Sequence, residues 1–223
     1  MSTLLRVDAS IRLEGSVSRA LADSAEAAWK AEHPDGVVVR RDLGQHPLPA
    51  TAWPALARAQ VLGQEAETDE DREALAEART LAADLAAEVK NADAILLAVP
   101  LYNYGIAQNV KTWIDLLLID HELVRGPSPT AGRPVIFALA RGGGYGPGSP
   151  KHGWDHATPY LERVFGDMFG MTVRSAVAEL TLASVTPGME ELIDASKVSE
   201  SEAHADAGNH GTVVARELIG NAA

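Results

Sequence analysis

The sequence predicts an α/β protein in which a doubly wound, five-stranded parallel sheet carries helices on both faces. Strand-like and helix-like segments alternate along all 223 residues, which is typical of parallel βαβ units. Two of the strand-like segments, AILLAV and PVIFALA, are continuously apolar, as expected where helices cover both faces of a sheet. The length suits one well-buried core, so we expect a single domain over residues 1–223.

The first half of the chain contains two predicted strands and two predicted helices. Residues 4–9 (LLRVDA) form a short apolar strand, and the following helix ends at a Pro-Asp-Gly turn signal after residue 33. A β-branched run predicts the second strand over 37–40. Residues 42–66 contain three prolines and are expected to be irregular. From Thr68, a possible cap, an acidic turn and a Leu/Ala stripe predict a long helix.

The second half continues the alternation of strands and helices. A strand over 94–99 is expected to end at Pro100 and to be followed by a helix over 110–119. The next strand, helix and strand are predicted over 134–140, 158–169 and 172–180. A last helix over 190–219 is expected to be interrupted by Gly-Asn-His-Gly at 208–211.

Charge and composition exclude several classes of function. A net charge of -12 opposes binding to nucleic acid or to an anionic membrane, because both would repel the protein. The absence of cysteine excludes disulfides, thiolate catalysis and cysteine-ligated metals. The N-terminus is interpreted as the first strand rather than a signal peptide, and no apolar stretch approaches the ~18 residues of a membrane span. We therefore expect a cytoplasmic protein.

Three serines occur in the loop between the first predicted strand and the first predicted helix. Ser10, Ser16 and Ser18 offer hydroxyl groups, and the first N–H groups of a helix have no partner within the helix. Such donors suit a phosphate group. The alternative is that Ser16 only caps the helix. A cap explains one serine but not the other two, so phosphate binding is the favoured interpretation.

Two aromatic residues flank an amide in the loop after AILLAV. Tyr102, Asn103 and Tyr104 are expected at the carboxyl edge of the sheet, where ligands bind in doubly wound folds. An aromatic side chain can lie along a planar ring, and an amide can bond its heteroatoms. The alternative is that the tyrosines pack under the next helix and that Asn103 makes a turn. From these residues alone, both interpretations stay open.

A glycine-rich loop, Arg-Gly-Gly-Gly-Tyr-Gly-Pro-Gly, follows PVIFALA. Glycines at 142–144 allow a backbone to approach a ligand closely, since no Cβ intervenes. The spacing is not that of a dinucleotide fingerprint, and Pro150 before Lys151 excludes a Walker loop. The chain also lacks a G-x-S-x-G nucleophile elbow, which argues against a serine hydrolase.

The histidines do not indicate a metal site. His152 and His156 stand four residues apart, but Pro150 and Gly153 make a helix between them improbable on sequence grounds, and no metal is predicted. The three loops together combine phosphate-binding groups, planar-ring contacts and close backbone approach. A phosphate joined to a flat heterocycle fits all three, and FMN is the natural candidate.

Three blocks of sequence resemble one enzyme family. The blocks are SIRLEGSVSRAL (10–21), VPLYNYGIAQNVKTWIDL (99–116) and ARGGG (140–144). They resemble the FMN-dependent NADH-azoreductases, which are also NAD(P)H:quinone oxidoreductases with a flavodoxin-like fold. The resemblance extends over nearly the whole chain, and the middle block, with its P-x-Y-N-[FY]-x-I pattern, is the most specific.

The resemblance implies a cofactor site made of three groups of residues. The FMN phosphate would be held by Ser10, Ser16, Val17 and Ser18. The isoalloxazine would be lined by Pro100, Leu101, Tyr102, Asn103 and Tyr104. The pyrimidine end would be reached by Ala140, Arg141, Gly142, Gly143 and Gly144. No side-chain acid or base is expected to be essential; Asn103 near the N5 edge and Tyr104 as a proton source are the candidates for a direct role.

The resemblance also implies the reaction and the assembly. NADH or NADPH would deliver hydride to FMN, and a quinone or azo compound would then take two electrons. Family members are homodimers, and the helix over 113–118 is apolar enough to serve at the subunit boundary. The alternatives are a biosynthetic quinone-tailoring enzyme, a flavin reductase that supplies a monooxygenase, and a non-enzymatic flavin electron carrier.

Two departures from the family pattern bear on the substrate. Ala140 stands where the family usually has Ser or Thr, so one side-chain contact to the cofactor is lost. The segment over 118–133 is shorter than usual and lacks the Thr-Phe that covers the flavin in the family. We therefore expect small quinones to be reduced faster than bulky azo dyes.

Overall fold

A parallel sheet of five strands forms the centre of the computed structural model, which describes residues 2–221. Its order is β2-β1-β3-β5-β6, which confirms the predicted doubly wound sheet. The strands are β1 (Thr3–Asp8), β2 (Val37–Asp42), β3 (Ala94–Tyr102), β4 (Gly105–Ile106), β5 (Pro134–Ala140) and β6 (Thr172–Ala178). The short strand β4 pairs antiparallel with the end of β3 and stands outside the parallel order.

Helices connect the strands and cover the sheet. They are α1 (Val17–Glu32), α2 (Ala52–Gln60), α3 (Asp69–Asn91), α4 (Gln108–Leu117), α5 (His121–Val124), α6 (Thr158–Leu161) and α7 (Ile193–Asn221). The helix α6 continues as a π-helix over Glu162–Met168, and a 3₁₀ turn over Glu190–Leu192 precedes α7. Both predicted caps are present: Ser16 accepts from the Arg19 amide, and Thr68 and Asp71 form a capping box.

The two faces of the sheet bury separate cores. On one face, Trp29 of α1 and Val214 of α7 pack with alternate strand residues such as Leu96. On the other face, Trp113 of α4 stacks on Phe165 of the π-helix at 5.9 Å between ring centroids. Because both faces are covered, each central strand can be apolar at every position, as AILLAV and PVIFALA are.

The prediction that 42–66 is irregular is wrong, since α2 occupies Ala52–Gln60. Pro54 lies in the first turn of this helix, where an amide would have no intrahelical partner in any case. Leu56 is completely buried and joins the core beneath α3. The prolines therefore mark the beginning of a helix rather than the absence of one.

The prediction that Pro100 ends its strand is also wrong. The strand β3 runs through Pro100, which pairs in register with Ala140 of β5. The Ala9 amide donates to Ala98 O at 3.0 Å, so an amide at position 100 would point to Ala9 O. Proline has no N–H, and Nδ2 of Asn109 donates to Ala9 O at 2.8 Å instead. A side chain thus replaces the missing ladder bond.

The expected interruption of the last helix at 208–211 does not occur. The helix α7 is continuous from Ile193 to Asn221. A Cβ at Gly211 would lie 2.2 Å from Ala25 O, so only glycine lets α7 lie this close to α1. The glycine allows close helix packing, and the sequence pattern for a break was misleading.

The strand β6 ends at Ala178, two residues before its predicted end.

The helix over 113–118 does not offer an apolar surface for a second subunit. Trp113, Ile114, Leu116 and Leu117 are all buried in the core of their own chain. Their apolar character is explained by packing against the sheet.

Among the helices of residues 2–221, none is both long enough and apolar enough to cross a membrane.

The shortened segment over 118–133 lies at the amino edge of the sheet. Asp120 accepts from Lys90 at the end of α3 at 2.7 Å, and Arg133 donates to Ala92 O just before β3. The Gly132 amide bonds Gly170 O just before β6. All these contacts lie at the beginnings of strands, so this segment cannot cover a ligand at the carboxyl edge of the same chain.

Candidate functional site

Two connected clefts lie at the carboxyl edge of the sheet, where the strand order reverses between β1 and β3. The smaller cleft has a volume of about 120 Å³ and lies between the first loop and the end of β3. The larger cleft has a volume of about 700 Å³ and opens between the glycine-rich loop and the loop after β6. Leu101, Gly142 and Leu182 line both, so the two clefts form one continuous site.

The structure brings most of the expected cofactor residues to this site. The smaller cleft is lined by Ser10, Ser16, Val17, Ser18, Pro100, Leu101, Tyr102, Ala140 and Gly142. The larger cleft is lined by Leu101, Asn103, Tyr104, Gly142, Gly143 and Gly144. The serines therefore lie at one end of the site, and the tyrosine and glycine loops form the other end.

Unused hydrogen-bond donors gather at the serine end. Ser10 and Ser18 are buried, and the hydroxyl groups of Ser16 and Ser18 are 3.4 Å apart. Within residues 2–221, the amides of Val17 and Ser18 at the start of α1 have no protein acceptor. Ser16 does cap the helix, but the cap leaves these two amides free. Such a set of donors suits a phosphate oxygen.

A partly buried ion pair between Arg19 and Asp42, which the sequence analysis did not identify, supports the serine loop. Arg19 donates to both carboxylate oxygens of Asp42, at 2.7 and 2.8 Å, and to Ser10 O at 2.8 Å. This bond from Arg19 lowers the pKa of Asp42 below its ordinary value, although burial acts in the opposite direction. A Cβ at Gly44 would lie 2.1 Å from Ser10 O, so glycine is required beneath the loop.

The loop after β3 is a two-residue β-hairpin. Asn103 and Tyr104 have φ values of 48° and 67°, as in a type I′ turn, between the paired residues Tyr102 and Gly105. The interpretation of Asn103 as a turn residue is therefore confirmed. A bulky residue such as Tyr104 is rarely found in this left-handed region, and its conformation costs energy.

The two tyrosines of the hairpin have different surroundings, because Tyr102 packs against the core that contains α4 and Tyr104 does not. The hydroxyl group of Tyr102 accepts from the Ile11 amide at 3.3 Å and so connects the hairpin to the serine loop. The ring of Tyr104 is 40% exposed and meets Trp154 edge to face at 5.4 Å. The Tyr104 carbonyl accepts from the His156 amide at 2.9 Å. Tyr104 thus presents an aromatic wall to the larger cleft.

The glycine-rich loop is held by the loop after β6. The Leu180 amide donates to Gly143 O at 3.1 Å, and the Thr181 amide donates to Arg141 O at 3.0 Å. A methyl group at Gly143 or Gly144 would approach no atom closer than 3.5 Å. The chain itself therefore does not require glycine at these two positions. Both glycines line the larger cleft, where a backbone without a Cβ suits a ligand that lies against it.

The guanidinium of Arg141 is turned away from both clefts. It donates to Glu179 at 2.9 Å and to Thr158 at 3.0 Å, and it lies 2.6 Å from the Asp155 carboxylate. Burial would raise the pKa of Asp155, but bonds from Thr158 and the charge of Arg141 lower it below its ordinary value. Arg141 therefore joins three loops and lines neither cleft, so its expected contact with the cofactor is not supported.

One wall of the larger cleft was missed in the sequence analysis. The loop between β6 and α7 contributes Glu179, Leu180, Leu182, Thr186, Met189 and Leu192. These residues form no recognisable motif. Their position after a strand of a parallel sheet is the one signal that could have selected them, because that loop must emerge at the carboxyl edge.

His152 and His156 lie in the loop that forms the other wall. His156 is tied through its backbone to Tyr104. In the part of the chain that the structure describes, no group of three or more His, Asp or Glu side chains is arranged to hold a metal ion.

The comparisons with known proteins agree on fold and relatives. A family model described as flavodoxin-like fold matches residues 2–204. A protein from Frankia casuarinae named FMN-dependent NADH:quinone oxidoreductase is 39% identical over 210 residues, covering 93% of this chain and 97% of that protein. A protein of the same name from Streptomyces avermitilis is 36% identical over 209 residues, covering 93% and 94%.

Solved structures share the fold at low sequence identity. The FMN-dependent NADH-azoreductase from Bacillus anthracis, solved in complex with FMN, superposes with a TM-score of 0.74 at 18% identity and covers 96% of this chain and all of that one. An azoreductase from the same species gives a TM-score of 0.74 at 24% identity, with 95% and 99% covered.

Proposed function

The chain belongs to the flavodoxin-like fold family, among the FMN-dependent NADH:quinone oxidoreductases, and from this premise we propose that it uses FMN to oxidise NADH and reduce quinones. One observation of its own structure supports the proposal above all others. The serine loop, the tyrosine hairpin and the glycine-rich loop come from three separate strands and meet in one continuous site. Azo compounds are a second class of acceptor that the structural neighbours suggest.

The residues present fit FMN. The free amides of Val17 and Ser18, with the serine hydroxyls, offer a phosphate several hydrogen-bond donors at the positive end of a helix dipole. Gly143 and Gly144 line the larger cleft, and the lack of a Cβ lets a planar ring approach their backbone. Ala140 is buried at the smaller cleft and offers a methyl group rather than a hydroxyl, so any bond there must come from the backbone.

The chain's part in the reaction is to bind, to orient and to exclude water. Bound FMN would accept hydride from NADH and pass two electrons to the quinone. The serine loop would anchor the phosphate, and backbone N–H groups around the ring would stabilise negative charge without reorganising. Tyr104 and Tyr145, which both line the larger cleft, would provide an aromatic surface on which a nicotinamide or quinone stacks.

The expectation that small quinones are reduced faster than azo dyes no longer has its original basis. It depended on the short 118–133 segment, which lies at the opposite edge of the sheet in the same chain. Acceptor size is instead limited by the chain's own walls, which are the loop residues over 145–151 and 179–192. The relatives are named FMN-dependent NADH:quinone oxidoreductases, and these names do not favour the three alternatives. The alternatives are a quinone-tailoring enzyme, a flavin reductase for a monooxygenase and a non-enzymatic carrier.

Steady-state kinetics test the proposed function. Because donor and acceptor would use the same cleft in turn, we expect ping-pong kinetics with NADH and menadione. Initial-rate plots at several menadione concentrations should give parallel lines in double-reciprocal form. Intersecting lines would indicate a ternary complex and contradict the shared cleft. A protein that purifies without FMN, or whose FMN is not reduced by NADH in the absence of oxygen, would contradict the assignment itself.

We also propose that the protein works in the cytoplasm as a homodimer with small-molecule substrates. Its net charge of -12 supports a small-molecule partner rather than nucleic acid or an anionic membrane. Ile11 and Leu13 of the serine loop are 69% and 59% exposed, and a second copy would cover them. Light scattering after size exclusion should give twice the chain mass of 23.6 kDa, and Leu13→Asp should lower it. A single-chain mass at micromolar concentration would contradict the dimer.

A further inference from the structure

An ammonium group stands at the aromatic wall of the larger cleft. Nζ of Lys151 lies 5.5 Å from the ring centroid of Tyr104 and 5.9 Å from that of Tyr145. It would be only 3.5 Å from a methyl group placed on Gly143. Lys151 therefore stands over the part of the glycine loop against which a planar ligand would lie, and both aromatic rings stabilise its charge.

Lys151 has no anionic partner of its own. Throughout residues 2–221, no carboxylate lies within ion-pairing distance of its Nζ, and no acceptor forms a hydrogen bond with it. Glu179 is the other charged residue that lines the cleft, and it is already engaged by Arg141 at 2.9 Å and by the Tyr145 amide at 3.1 Å. The larger cleft thus contains one uncompensated positive charge.

The backbone around Lys151 is fixed before any ligand arrives. Three successive turn bonds hold it: Ser149 N to Gly146 O at 3.1 Å, His152 N to Ser149 O at 3.1 Å, and Trp154 N to Lys151 O at 3.0 Å. A charge whose backbone is already ordered loses less entropy when it binds a ligand. In a chain of net charge -12, a local cation also offsets the repulsion of an approaching anion.

We propose that Lys151 is an anion subsite of the larger cleft, which holds the carboxylate, sulfonate or phosphate of a planar ligand whose ring stacks beside Tyr104. The identification of that ligand as a redox partner rests on the proposed function. Two sources share this chemistry: an acceptor that carries an acidic group, and the diphosphate of NADH. The subsite selects planar anions over neutral planar molecules of the same size.

Equilibrium binding tests the subsite without turnover. Naphthalene-2-carboxylate and 2-naphthamide have nearly the same shape and differ in charge, and each is titrated into the FMN-loaded oxidised protein by calorimetry. We expect the carboxylate to bind about fivefold more tightly, as for a favourable, partly exposed ion pair. Lys151→Met should abolish this ratio and Lys151→Arg should retain it. Lys30→Met removes the same charge from α1, far from the cleft, and should leave the ratio unchanged.

Half-reaction kinetics distinguish the two sources of the anion. In the acceptor arm, kcat/KM for 1,4-naphthoquinone-2-sulfonate is compared with kcat/KM for 1,4-naphthoquinone. In the donor arm, NADH is compared with the uncharged 1-benzyl-1,4-dihydronicotinamide. If Lys151→Met lowers the charged-to-neutral ratio of kcat/KM in the acceptor arm alone, the acidic acceptor is the ligand. If that ratio falls in the donor arm alone, the diphosphate of NADH is the ligand. If it falls in both arms, both use the subsite.

Two results would overturn the inference. One is wild-type protein that binds both naphthalene probes equally, or binds neither. The other is Lys151→Met weakening the neutral probe as much as the charged one, which would mean that the lysine only supports the rings of Tyr104 and Tyr145. Failure of the proposed function is a separate outcome: the protein would not oxidise either donor, while the carboxylate preference in calorimetry would still be present.

Discussion

Alanine at both Ser16 and Ser18 is expected to weaken FMN binding by at least about 100-fold, because each hydroxyl bond to a charged phosphate contributes roughly 1.5–3 kcal/mol. The two hydroxyl groups lie 3.4 Å apart at the start of α1, where the helix leaves amides free. Quenching of FMN fluorescence on titration into apoprotein gives the dissociation constant. An unchanged constant in the double variant would remove the phosphate role from this loop.

Three controls separate phosphate binding from damage to the fold. Riboflavin lacks the phosphate, so its affinity should change little in the same variant. Ser24→Ala removes a hydroxyl from the same helix, where it bonds His204 rather than the cleft, and FMN affinity should be retained. Ser16→Gly removes the hydroxyl at a cap position that tolerates glycine at a cost of only a few tenths of a kcal/mol. Its FMN affinity should fall although its stability hardly changes.

Arg141→Met should destabilise the protein by about 3 kcal/mol, because it leaves two partly buried carboxylates without their counter-ion. Asp155 and Glu179 are both within 3 Å of the guanidinium, and their side chains are 12% and 23% exposed. For a chain of this length the melting temperature should fall by roughly 6–12 °C, as measured by calorimetry. A loss of FMN affinity without loss of stability would instead indicate a direct cofactor contact.

The destabilisation by Arg141→Met should be larger at neutral pH than at acid pH. The folded-state pKa of Asp155 lies below its ordinary value of 3.8, so its ion pair contributes fully above that value and is lost as the pH falls through the folded pKa. The difference between wild type and variant should therefore be largest near pH 7 and shrink below about pH 4. Arg72→Met, in an exposed pair with Asp69, should cost under about 0.5 kcal/mol at any pH.

The parts of the fold and site that could be predicted are those in which local sequence and tertiary position agree. PVIFALA forms a strand with the predicted bounds because it is buried on both faces and ends where the glycine loop begins. Ser16 and Thr68 cap helices as expected, because caps depend on a few neighbouring residues. The meeting of three loops at one edge followed from the parallel sheet alone.

The parts that could not be predicted depend on contacts between segments distant in sequence. Gly211 lies inside a helix, and a glycine is needed there because the backbone of α1 passes too close for a Cβ. Arg19 reaches Asp42 across the β1–β2 edge, which no spacing in the sequence indicates. The resemblance suggested Arg141 for the cofactor, but its partners come from two loops with no motif. The resemblance placed the 118–133 segment near the ligand, and the order of segments along the chain could not correct this. That order does not show at which edge of the sheet a connecting segment lies.

At the end of β3, the side chain of Asn109 donates the hydrogen bond that Pro100, which has no N–H, cannot donate. This arrangement has an evolutionary consequence. If residue 100 were not proline, its own N–H would donate to Ala9 O, and the bond from Asn109 would no longer be needed to satisfy that carbonyl. If Asn109 were lost while Pro100 remained, Ala9 O would lack its donor at the edge of the cleft. Substitutions at positions 100 and 109 should therefore covary among descendants of this sequence, although the two residues are nine positions apart and lie in different elements.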